Sequence, residues 1–460
     1  MWHSLAPELV LEIFEHFIPG LTLSVTEPAE FPWYLGHICS TWRRVLIASP
    51  HFLNSLTIDL GEKGKGVRYR RHSARFKRTL AIVRFCMRSS NDHPISFRLA
   101  LCWPELCYNL KRTSQSRFCR LILQSLVEQS ARWRDAYITL HVSELPILYA
   151  AKDQLHILRS IKLELMECCD SCAWDLCIAR PSPSFSDLLA NAPQLTRVYF
   201  GHYLDWEIGW SSIRAIHLKC PPSPDALLEL LQHVDCLEEL AIYESHGTRV
   251  LPPQPHRRRP LITLPFLKIL RIGDADFLPL LETQMLDELS VRNDTHSLDS
   301  STFNSAVSSF LPSLRRLRKL SLFSNDAYDA EVVFQHMPDI QDLSLYLYEA
   351  SCLKQLATCP RVHRLKSLTL GLPCTVSNMT ALTACMEPKP RGPSLIDSFA
   401  ELGHFSLELY NPVDARFCTP VAESLERSFR ELGVPCAIQS VNTRVAAPDA
   451  KFASFDVFGS

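Results

Sequence analysis

An α/β fold in two parts, a short helical unit at the N terminus followed by a long stack of helix–turn–strand units, is predicted by three observations. Apolar residues at helical spacing fill the first 50 positions between proline punctuation. A triplet of the form apolar-x-x-apolar-x-apolar then recurs, beginning at Leu53, Leu158, Leu195, Ile213, Leu237, Leu267, Leu286, Leu317, Ile340, Leu365 and Leu402. Most copies follow a segment with helix periodicity, such as Asp225–His233 before Leu237 or Glu331–His336 before Ile340. The triplets alone would arise by chance in so apolar a chain, so their alternation with helices carries the prediction.

The first helix begins near Pro7, whose missing N–H is not needed in a first turn, and Glu8 lies where the helix dipole favours negative charge. Leu9, Val10, Ile13, Phe14 and Phe17 form one stripe, and Glu8, Glu12 and Glu15 lie off it. Pro19-Gly20 ends this helix. Leu35, Ile38, Cys39, Trp42, Val45 and Leu46 repeat the pattern until Ser49-Pro50 stops the second. A unit of about 50 residues buries too little apolar surface to stand comfortably alone. Part of the stripe is therefore expected to be covered by a partner or by the downstream domain.

The segments Leu5-Ala-Pro7-Glu8-Leu9 and Cys39-Ser-Thr-Trp42-Arg43-Arg44 give residues 5 to 58 a resemblance to the F-box. That resemblance implies docking onto the Skp adaptor, and through it a cullin, in a ubiquitin ligase. It assigns adaptor contact to Leu5, Pro7, Glu8, Leu9, Ile13 and Phe14, and the unit's own core to Leu35, Ile38, Trp42 and Val45. Three features depart from the family pattern: Ala6 in place of a proline, Phe52 where fungal relatives often carry tryptophan, and a long link over residues 18 to 32. The bland alternative is an ordinary helical hairpin.

Beyond the plug, Gly61 to Gly66 with the arginine-rich run to Arg78 forms an exposed basic link. Pro94–Leu101 alternates as a strand, Ser116–Trp133 has helical spacing, and Ala136–Leu140 is another strand. In each later triplet the second and third apolar residues share one strand face, as in Leu240 and Ile242, Leu320 and Leu322, or Leu343 and Leu345. Near the end, Val421, Leu425, Phe429 and Leu432 form a helix stripe closed by Gly433, with a last strand over Ala437–Val441 as a cap.

These units resemble irregular leucine-rich repeats of the kind fungal F-box proteins carry, which implies a solenoid, the horseshoe, with strands inside and helices outside. The spacing is loose, and the asparagine usual after the strand occurs only as Asn325. An ordinary α/β domain is the alternative. The expected organisation is an F-box over 1–58, a basic linker and first helix over 59–92, a repeat domain with its cap over 93–441, and a tail over 442–460. In this register Arg197, Tyr199, His217, Lys219, Glu239, Tyr243, Arg271, Arg292, Phe323 and Tyr346 lie on the concave strand face, where aromatics and arginines are the usual interface anchors.

Composition narrows the function. The chain has 460 residues, 47% hydrophobic and 21% charged, with a net charge of −1, so it is folded and has no bulk attraction for nucleic acid or membrane surfaces. It carries no signal-like start and no run of eighteen apolar residues, which points to the cytoplasm, the nucleus or both. The 17 cysteines are scattered and are read as reduced. Cys168, Cys169, Cys172 and Cys177 are dense enough to hold zinc, but no matched second Cys-x-x-Cys pair accompanies them, so loop cysteines are the preferred reading. The basic residues from Lys63 to Arg88 are read as a solvated face rather than a phosphate site or nuclear signal. Phosphate-loop, nucleophile-elbow and zinc-protease motifs are absent, and glycine, at 14 residues, is scarce. No enzyme, cofactor or metal is expected. The expected role is the target-recognition subunit of a Skp–cullin–F-box ligase; the alternative is a repeat scaffold that binds proteins without recruiting a ligase.

Overall fold

The structure is a computed structural model. It describes residues 5–17, 23–26, 35–60, 72–101, 114–166, 183–202, 206–220, 224–243, 261–273, 275–293, 300–324, 326–359, 361–386, 402–410, 415–431 and 433–441. The chain divides into two units, Met1–Lys219 and Cys220–Gly459.

The first unit opens with α1 (Pro7–Phe17). A two-residue strand β1 (Leu23–Ser24) follows, then α2 (Leu35–Ile38) and α3 (Ser40–Ala48). Ser49, held before Pro50, leaves the helical region at φ −111° and ψ 89°, and a 3-10 turn over Pro50–Phe52 swings Phe52 inward. Val10, Phe14, Cys39, Trp42, Leu46 and Phe52 pack into one core, with Leu5, Leu11, Ile13 and Val45 partly buried against it. Phe14 is its centre. Its ring meets Trp42 edge-on at 5.4 Å and Phe52 edge-on at 5.7 Å, the geometry that brings a positive ring edge to a negative ring face.

Strands β2 (Ser55–Asp59), β3 (Ile95–Ala100), β4 (Trp133–His141), β5 (Ser160–Met166), β6 (Arg197–His202) and β7 (Ala215–Cys220) follow, with α4 (His72–Ser89) leading into β3 and α5 (Ser114–Val127) into β4. The strands lie side by side in sequence order from β1 to β7. The pairings from β1 to β6 are parallel. Parallel neighbours need a crossover, and the helices and 3-10 turns between strands supply it. The first strand of the sheet thus begins inside the segment expected to be the helical plug, since β2 pairs with both β1 and β3. The helix expected over Ser116–Trp133 ends at Val127. Trp133 instead starts β4, where it is buried, donates its Nε1–H to Leu126 O at 3.0 Å and packs edge-on against Phe97 at 5.0 Å.

The second unit holds β8 (Glu239–Ile242), β9 (Ile262–Thr263), β10 (Ile269–Ile272), β11 (Leu281–Glu282), β12 (Glu288–Asn293), β13 (Lys319–Ser324), β14 (Asp342–Leu347), β15 (Ser367–Pro373), β16 (His404–Tyr410) and β17 (Cys436–Val441). β9 and β11 form a small parallel pair of their own, and the others run parallel in chain order from β8 to β17. Helices over Pro224–Leu231, Ser300–Phe310, Ala327–His336, Leu353–Thr358, Val376–Met386 and Ala415–Glu431 precede β8, β13, β14, β15, β16 and β17. Gly433 closes the last of them at φ +72°, with its N–H on Arg430 O and that of Val434 on Phe429 O, a left-handed cap that a side chain would strain.

In all eleven triplets the second and third apolar residues lie on a strand, and the leader stands two positions before it. Every leading residue from Leu53 to Leu402 is 4% exposed or less, and the two alternating residues behind it face the core. The backbone repeats as well. Lys268 and Ile269 both donate to Glu238 O, Asp287 and Glu288 to Lys268 O, Arg318 and Lys319 to Asp287 O, and Gln341 and Asp342 to Arg318 O. One junction is thus used strand after strand, and the fold is an α/β leucine-rich-repeat-like solenoid in each unit.

Candidate protein-binding surfaces

Two surfaces were expected: the helical stripe at the N terminus and the strand face opposite the leucines. In α1 the stripe divides. Val10 and Phe14 are fully buried, Leu5 and Ile13 are half-buried, and Leu9 is 48% exposed beside exposed Pro7 and Glu8. Two assignments are corrected here. Phe14 is not a surface contact, because the turn of α1 that carries it faces Trp42 and Phe52; and Ile38 is not core but 46% exposed, because α2 ends there and Cys39 turns inward in its place. Trp42 is buried and Val45 half-buried, while the side chain of Leu35 lies outside the described residues.

On the strand face the register brings equal offsets of successive repeats side by side, about 4.8 Å apart. In the first unit Lys162 Nζ sits 4.0 Å over the Tyr199 ring, Tyr199 stacks on His217 at 6.3 Å, and Lys219 pairs with Glu164 at 3.6 Å. In the second unit Arg271 bonds Glu239 through one η nitrogen and Glu288 at 3.3 Å through the other, and Lys319 reaches Glu288 at 3.3 Å. Phe323 and Tyr346 stack nearly parallel at 4.5 Å, and Tyr346 leans toward Tyr410 at 6.5 Å, whose hydroxyl donates to Glu408 at 2.8 Å. Burial pushes the Tyr243 hydroxyl up to about 12 and also raises Tyr346 and Tyr410, with Glu408 adding to both.

This overturns the expectation of an open contact face at six of the ten positions. Tyr199, His217, Tyr243, Arg271, Phe323 and Tyr346 are buried by one another and by their ladder neighbours, Glu239, Lys219 and Arg292 are half-buried, and Arg197 is exposed. Aromatic and charged side chains of consecutive repeats, level with one another or one step along the same face, cover and pair with each other before any partner arrives. Glu288, Lys319 and Lys162 complete these clusters and were missed; the signal was their shared offset with the chosen residues.

Other candidates resolve simply. Among the described cysteines Cys39, Cys86, Cys119, Cys220, Cys236, Cys352, Cys359 and Cys436 are thiols, and burial pushes Cys86 and Cys119 up to about 12, so neither is a reactive thiolate. Cys374 is disulfide-bonded, a correction to the all-reduced reading, since linear spacing does not reveal which cysteines meet. The cysteines at 168, 169, 172 and 177, the linker over 61–71, Asn325, the loops over 252–260 and 388–393 and the tail over 442–460 lie outside the described residues. No metal-binding cluster occurs among the described residues. No helix among them is long and apolar enough to cross a membrane. Asn378 has its side-chain amide engaged, accepting from Ala350 N and donating to Tyr348 O and Pro373 O.

No protein-family model matches the chain. No curated protein matches it. Among solved structures it is similar to an internalin from Listeria monocytogenes str. 4b F2365, with 13% identity and a TM-score of 0.23, covering 67% of this chain and 82% of that one. A likeness at that score bears no weight; the repeat arrangement stands on the chain's own register and backbone bonding.

Proposed function

We propose that this chain is the target-recognition subunit of a Skp–cullin–F-box ubiquitin ligase. The observation that carries this reading is the division of α1, with Val10 and Phe14 sealed in a core while Leu9 is 48% exposed between half-buried Leu5 and Ile13. The part of the apolar stripe left in water is, on this reading, the docking surface. In this reading Leu5, Pro7, Glu8, Leu9 and Ile13 meet the Skp adaptor, and the repeats hold a target protein. A conjugating enzyme bound elsewhere in the assembly then meets a target lysine at raised effective concentration. The chain contributes position and no bond-making group, and its target contacts are sought first at Arg197 and the half-buried Lys219, Glu239 and Arg292.

The competing reading is a protein-binding scaffold without a ligase. It is favoured by β1, which joins the link after α1 to the sheet through Leu23↔Leu56, as the N-terminal cap of a solenoid would. Co-purification with the Skp adaptor separates the two. Leu9→Asp with Ile13→Asp is expected to abolish adaptor capture while the fold persists; capture that survives in the folded double variant would remove the ligase reading.

A further inference from the structure

We propose that the solvent face of α4 is a docking site for an acidic protein segment that carries an apolar residue between its carboxylates. At 100° per residue, Arg84, Lys77, Arg88, Ala81, Phe85 and Arg78 follow one another across a single arc of about 120°. All six are exposed, Phe85 at 37%. The opposite arc, Phe76, Thr79, Leu80, Val83, Cys86 and Met87, is buried, with Phe76 stacked on Phe118 of α5 at 6.2 Å. α4 is thus anchored by one side and presents the other.

The presented side has one sign. No Asp or Glu occurs between Glu62 and Asp92, and Lys77, Arg78, Arg84 and Arg88 form no ion pair among the described residues. Among the described residues Arg84 spends only its Nε–H, on Ser125 Oγ at 3.4 Å. The next carboxylate in sequence, Asp92, lies beyond the end of α4 and acts on Arg132, which is tied to Met87 O and His93 O there. With a net charge of −1 for the whole chain, this local excess is not the edge of a generally basic protein.

The arrangement specifies its occupant. Cations flank the Ala81–Phe85 strip on both sides, so an apolar side chain seated on the strip places neighbouring carboxylates against Lys77, Arg84 and Arg88 on one side and Arg78 on the other. From Lys77 to Arg88 the row runs about 16 Å, the length of roughly five extended residues. A nucleic acid is disfavoured, since binding a phosphate chain draws on several contacts across a broad basic surface that a chain of near-zero net charge does not offer.

The test uses the full chain and a fluorescein-labelled peptide with one leucine flanked on each side by three glutamates, followed by anisotropy at low and physiological salt. Binding is expected to weaken with salt, to fall about tenfold in Lys77→Glu/Arg84→Glu/Arg88→Glu, and to fall about threefold in Phe85→Ala with the salt dependence unchanged. Lys354→Glu, an exposed lysine in the other unit, is expected to leave it intact, as is Skp capture by the triple variant. Should the triple variant bind as the parent does, should Lys354→Glu weaken binding equally, or should an oligothymidylate bind this face more tightly than the peptide, the proposal is wrong. Arg88→Glu alone repeats the test if the triple variant loses its fold by circular dichroism.

Discussion

The leucines of the N-terminal helices and the leucines of the repeats have the same chemistry and different fates. In the repeats every triplet leader is 4% exposed or less, whereas Leu9 in α1 is 48% exposed one residue away from Val10 at 0%. A strand in the sheet has a neighbour on each side and a helix or turn behind it, so its apolar face is closed by local construction. Among the described residues α2, α3 and the 3-10 turn over Pro50–Phe52 enclose one face of α1 and leave Leu9 outside it. The difference teaches where this protein keeps apolar surface in reserve.

The contrast is broken most severely at the centre of the plug. Phe14→Ala removes the ring on which Trp42 and Phe52 converge and is expected to cost about 3–5 kcal/mol, read as a fall in the urea midpoint. In the repeats the sharpest test is addition. A Cβ at Gly371 would lie 2.3 Å from Tyr346 Cδ1 and 2.9 Å from Tyr410 Cε2, so Gly371→Ala should cost about 1–3 kcal/mol by forcing the tyrosines apart, with a lowered thermal midpoint.

A smaller effect is expected at Asp329. Its carboxylate is fully buried, with Oδ2 accepting from Ser324 Oγ at 2.5 Å and Asn293 Nδ2 at 2.6 Å, and burial raises its pKa above the ordinary 3.8 despite those two donors. Because the folded value is the higher one, its protonation favours the fold: the contribution is complete below 3.8 and is lost as pH rises through the raised value. The stability difference between parent and Asp329→Asn should therefore shift against the parent over that interval, and a pH-independent difference would contradict the assignment. Least of all, Leu9→Ala should change stability by under about 1 kcal/mol while weakening Skp capture, since half of that side chain is already in water.

Much of the fold was legible because its signals are local. Each Leu-x-x-Leu-x-Leu triplet is a strand that buries alternate residues, and segments such as Glu331–His336 carry their own helical period. The signals that failed are pairwise. β1 has only Leu23 and Ser24, too short for any pattern, and exists because Leu56 and Thr57 offer it an open edge. Phe323 and Tyr346 read as exposed strand positions until the register set one ring on the other. Cys374 gave no hint of its bond.

By itself the sequence determined the repeating unit, the parallel crossovers and the residues that face the core, because these depend on periodicity within about twenty residues. Only the tertiary structure decided which polar positions stay available. Availability depends on what neighbouring strands place 4.8 Å away, and Arg271 between Glu239 and Glu288, or Leu9 outside the core that holds Val10, are outcomes of that adjacency.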